Sequence, residues 1–61
     1  MPDTETMTRG AFTARIMRDG TQVFADIYDD KSGDRVESWT GTHMKSVRLW
    51  ALRHLADLAT K

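Results

Sequence analysis

The stretch that decides the fold is Phe12-Thr13-Ala14-Arg15-Ile16-Met17-Arg18-Asp19-Gly20-Thr21-Gln22-Val23-Phe24-Ala25-Asp26-Ile27-Tyr28. Apolar side chains alternate at Phe12, Ala14 and Ile16, and again at Val23, Ala25 and Ile27, which is the period of a half-buried strand. Asp19-Gly20 lies between the two runs. That pair tolerates positive φ at both central positions of a tight hairpin turn, so the spacing predicts a two-residue hairpin with Arg18 facing Thr21. In that register Ile16 faces Val23, Ala14 faces Ala25 and Phe12 faces Ile27, all on one side of the sheet.

Beyond Tyr28 the cluster Asp29-Asp30-Lys31-Ser32-Gly33-Asp34 supplies turn formers, and Arg35-Val36-Glu37-Ser38-Trp39 reads as a third antiparallel strand. Pairing Asp29 with Asp34 puts Val36 against Ile27 on the core side and Trp39 against Phe24 on the other. It also sets Asp26 opposite Glu37. After Gly41, Thr42 is a candidate helix cap. Met44, Val47, Ala51, Leu55 and Leu58 then recur at spacings of three and four, the apolar stripe of a helix laid over the sheet. Before Ala11, the run from Met1 to Gly10 has no apolar periodicity and reads as a flexible N-terminal tail, residues 1–10, ahead of a single domain, residues 11–61. The fold class is α+β: a three-stranded antiparallel sheet (β-β-β) packed on one C-terminal α-helix in two layers.

A chain of 61 residues has room for one small core, which buries about 60% of the surface of the unfolded chain. Its 39% hydrophobic and 30% charged residues exclude a disordered polymer, and no apolar run is long enough to span a bilayer. The start carries no secretory pattern, which points to an intracellular, cytoplasmic protein. Cysteine is absent, which excludes disulfides, thiolate nucleophiles and thiolate metal sites. Net charge is zero but uneven, at −3 over residues 1–39 and +3 over residues 40–61. Such a split suits either an acidic partner or a second copy.

Little of the sequence resembles catalytic machinery. His43 and His54 on one helix stand about 16 Å apart and cannot share a metal. His54 and Asp57 read as a surface pair, and Ser46 is too distant from that imidazole to be its nucleophile. The acidic residues around Asp30 lack the alternating oxygen donors of a calcium loop, since Lys31 interrupts them. These patterns predict no enzyme, no catalytic residue, no metal and no cofactor, and a single helix on a small sheet predicts no pocket for a small-molecule substrate.

A binding surface is the positive prediction. With the helix on one side, the other side of the sheet displays Arg15, Phe24, Tyr28, Arg35 and Trp39, with no segment left to cover it. Aromatic and arginine side chains of this kind concentrate at interface hot spots. Leu49 and Leu52, off the helix stripe, extend the surplus apolar surface. This composition predicts a small protein-binding module that self-associates as a homodimer or docks on a larger protein, as its regulator or inhibitor.

A second reading is DNA binding, with Lys45, Arg48 and Arg53 of the helix as possible nucleic-acid contacts. Val23-Phe24-Ala25-Asp26-Ile27-Tyr28, the turn Lys31-Ser32-Gly33-Asp34-Arg35, and Gly41-Thr42 before a helix together resemble the β-β-β-α arm-type DNA-binding domains at the start of tyrosine integrases. The likeness is one of topology over about two thirds of the chain and implies a sheet that enters a DNA groove. It departs from that pattern at Asp26 and Glu37, acidic where a basic face is implied.

Overall fold

The computed structural model describes residues 4–60. Strands β1 (Thr4–Arg9), β2 (Phe12–Asp19), β3 (Gln22–Asp29) and β4 (Arg35–Gly41) precede one helix, α1 (Met44–Ala59). All neighbours in the sheet are antiparallel, and the spatial order β1-β2-β3-β4 follows the chain order. The α+β class with a C-terminal helix is as read from the sequence. The sheet has four strands rather than three, because Thr4–Arg9, within the stretch read as a tail, pairs with β2 along its whole length. Met1 to Asp3 of that stretch lie outside the described residues.

Both tight hairpins use glycine in the same way. Gly10 (φ +61°) and Gly20 (φ +63°) each take the first central position of a two-residue loop, and among the described residues no non-glycine has positive φ. This is the φ pattern of a type II′ turn, with Gly-Ala and Gly-Thr as the central pairs. The β2–β3 loop is therefore Gly20-Thr21, one residue later than Asp19-Gly20, and the register moves to Ile16↔Ala25 and Ala14↔Ile27. Every side chain stays on its assigned face, because a shift of two in pairing preserves the alternation.

The core contains Ala14, Ile16, Val23, Ala25 and Ile27 from the sheet, and Val47, Ala51 and Leu55 from α1. Met7, Phe12, Met44, Trp50 and Leu58 pack around it. The helix begins after His43, which is extended and makes no side-chain cap. The Thr42 hydroxyl instead meets His43 Nδ1 at 3.0 Å, so Thr42 does not cap the helix.

At the β3–β4 connection the expected Asp29–Asp34 link is present: Asp29 N–H donates to the Asp34 carbonyl at 2.9 Å. The ladder then breaks. Tyr28 pairs with Arg35 and Ile27 with Glu37, leaving Val36 unpaired as a bulge. The extra residue turns everything after it over. Val36 is exposed rather than in the core, and Trp39 faces Ala25 on the helix side instead of Phe24 on the open side.

Candidate functional site

The register lays out the sheet face turned away from α1 as three rows across the four strands. Thr4, Met17, Phe24 and Thr40 form one row, and Thr6, Arg15, Asp26 and Ser38 the next. Thr8, Thr13, Tyr28 and Arg35 complete it. No element covers this face among the described residues. Its apolar part is the cross-strand pair Met17 and Phe24 on the two inner strands, with Met17 40% exposed and Phe24 half-buried by its neighbours. A shallow depression of about 340 Å³ opens there, bordered by Arg15, Asp26, Arg35 and Ser38.

Polar contacts hold the surrounding side chains in place. Arg35 stands 3.6 Å from Asp26 across the strands, which neutralises that acid on the face. At one end the Thr13 hydroxyl donates to Asp30 at 2.7 Å and lies 3.4 Å from the Thr8 hydroxyl. The Asp30 N–H donates to the Ala11 carbonyl at 2.8 Å, tying the two loops of that end together. Glu37 is absent from the face, because the bulge at Val36 sends it to the helix side with Trp39.

Of the surface read from the sequence, the structure brings together Arg15, Phe24, Tyr28 and Arg35. Trp39 borders the same depression beside Phe24 and Arg35, but the bulge turns its ring to the helix side of β4. Its ring lies 5.6 Å from that of Trp50, which in turn stacks on His54 at 4.5 Å. This aromatic run, continued by exposed Leu49, borders a depression of about 520 Å³ on the β4 flank of the helix. Trp50 carries no strong signal in the sequence beyond its place one residue before Ala51, at the margin of the apolar stripe. Leu52 lies on the opposite flank of α1, so Leu49 and Leu52 extend neither depression together.

The candidate phosphate contacts also diverge. Lys45 and Arg48, three residues apart, share one flank of α1 while Arg53 points elsewhere, and Arg48 is taken. Its Nε donates to Glu5 at 2.9 Å and its Nη2 to the other carboxylate oxygen, a bidentate pair between helix and first strand. That hydrogen bond, reinforced by the charge of the guanidinium, holds the Glu5 carboxyl below its ordinary value of 4.5 and pushes Arg48 upward. His54 and Asp57 form no ion pair among the described residues, and no trio of histidine, aspartate and glutamate there is arranged to hold a metal. The helix is neither long nor apolar enough to cross a membrane. Compared with protein-family models, curated proteins and solved structures, the chain finds no match.

Proposed function

We propose that this protein is a non-enzymatic binding module that presents the uncovered side of its sheet to a larger protein and regulates or inhibits it. The observation that carries this reading is an uncovered four-stranded face with an apolar pair, Met17 and Phe24, bordered by Arg15 and Arg35, and with Tyr28 two rows along the same face. An apolar anchor beside arginine, with a tyrosine on the same face, has the chemistry of an interface hot spot. Being on strands, these residues have their backbone fixed before binding, so docking orders side chains alone.

The test compares capture of a partner from native lysate by the unaltered chain with capture by Phe24→Ser and Arg15→Ala. Both substitutions should abolish recovery of the same protein, while Leu49→Ser on the helix leaves it intact. Equal recovery by all three variants refutes the reading.

One observation favours duplex DNA as a second reading. The bulge removes Glu37 from the face and Arg35 neutralises Asp26, which leaves Arg15 without an acidic partner there. Binding of labelled duplex that weakens steeply with added salt and is lost in Arg15→Ala supports it. No binding at low salt eliminates it.

A further inference from the structure

The outer edge of β1 is a second surface, independent of the open face. All six residues of β1 pair with β2 in unbroken register, from Thr4↔Met17 to Arg9↔Phe12. The other side of the strand has no neighbour among the described residues. The residues flanking a two-residue hairpin exchange hydrogen bonds, so Arg9, Met7 and Glu5 direct their backbone groups at β2. Thr4, Thr6 and Thr8 therefore direct theirs outward. Proteins blunt such an edge with proline, lysine, a bulge or an inward-pointing charge. The opposite edge, β4, has its bulge; β1 has no proline, lysine or bulge. Its inward-pointing acid, Glu5, is paired with Arg48, so it is no lone charge facing an incoming strand, and its carboxylate, 38% exposed, keeps lone pairs for a second cationic donor.

We propose that a second copy of this chain docks here, β1 against β1 and antiparallel, about a two-fold axis that passes beside Met7 perpendicular to the sheet. Thr6 then faces the partner's Thr8 and exchanges backbone hydrogen bonds with it, while Met7 meets the partner's Met7. Charge selects this register. Glu5 faces the partner's Arg9, and symmetry repeats the pair. A slip of two in pairing sets Glu5 against the partner's Met7 or Met7 against the partner's Arg9, and a further slip opposes two glutamates. Arg9 makes no ion pair among the described residues, so it is available for this one.

The helix adds an apolar patch at the same place. Arg48 meets Glu5 near the start of β1, and Ala59 lies close to Gly10 just past its end. Leu52, one turn beyond Arg48 on the same flank, is thus level with Met7. Leu52 is 44% exposed and Met7 half-buried. Around the axis the two copies bring Met7 and Leu52 together in fours, covering surface that each chain leaves wet. The two sheets become one of eight strands with both helices on one side.

Sedimentation equilibrium over a rising concentration series tests this directly. The unaltered chain should reach twice its monomer mass. Thr6→Pro removes only an outward N–H, and Arg9→Glu sets like charges across the seam. Each should raise the dimer dissociation constant at least about tenfold, with the monomer's circular dichroism unchanged. Phe24→Ser, on the open face, should leave that constant alone. A chain monomeric at every concentration overturns the proposal. So does a dimer indifferent to Arg9→Glu, whose exposed side chain can change without unfolding the monomer. A dimer dissolved by Phe24→Ser also overturns it, and would place the second copy on the open face.

Discussion

Gly10 and Gly20 adopt the same backbone conformation in the same kind of turn, yet their surroundings differ. A Cβ built on Gly20 meets nothing within 4 Å, whereas one on Gly10 stands 3.3 Å from Ala59 Cβ at the end of the helix. Gly20→Ala should therefore cost only the left-handed penalty, about 1 kcal/mol. Gly10→Ala should cost more, because the helix terminus must also give way. Urea denaturation of the two variants measures the difference, and equal losses would contradict this reading. At Glu5 the sign of the pH dependence follows from its lowered pKa in the folded chain. The stabilisation is complete above 4.5, the unfolded value, and is lost as pH falls from there through the lower folded value. Thermal melts of Glu5→Gln and the unaltered chain should differ at neutral pH and converge in acid.

At the scale of elements, what the sequence made legible follows from what alternation can encode. The faces of β2 and β3 and the stripe of α1 are readable because one side of each is buried and the other wet. Their exact pairing is not, since moving the turn from Asp19-Gly20 to Gly20-Thr21 leaves every side chain on the same face. β1 was hidden for a different reason. An edge strand under the rim of a helix needs only Met7 inward, so Thr4, Thr6 and Thr8 give it a polar composition; its signals are β-branched alternation and the Gly10-Ala11 turn. Trp39 was misplaced because one unpaired residue reverses a strand without any local signature. Four of the five sheet residues assigned to the candidate face, Arg15, Phe24, Tyr28 and Arg35, precede the bulge and share that face. Trp39 is 41% exposed but its ring meets Trp50, a contact that is testable. A double-mutant cycle on Trp39→Ala and Trp50→Ala should give a coupling of about 1 kcal/mol, as for other aromatic pairs. A coupling of zero would separate the rings.

At the scale of the molecule, eight fully buried residues among those described serve as the core, so each matters greatly. Leu55, 1% exposed and among the largest of them, has little around it that can collapse into a cavity. Leu55→Ala should cost on the order of 3 kcal/mol, a large fraction of the stability of any small domain. Calorimetry checks this, and a loss below about 1 kcal/mol would mean that the helix packs more loosely than its burial implies.

Val36 has a further consequence for how far assembly can run. A sheet that is adhesive at both margins propagates into a filament, while one adhesive at a single margin saturates as a closed pair. The bulge at Val36 interrupts one margin and the other is regular, so if two copies pair along β1 as proposed, growth should terminate at two. Deleting Val36 would bring Glu37 directly after Arg35 and make the last strand regular, with Trp39 still beside Trp50. Light scattering from that deletion should then climb past the dimer with time, as a terminator of polymerisation is lost.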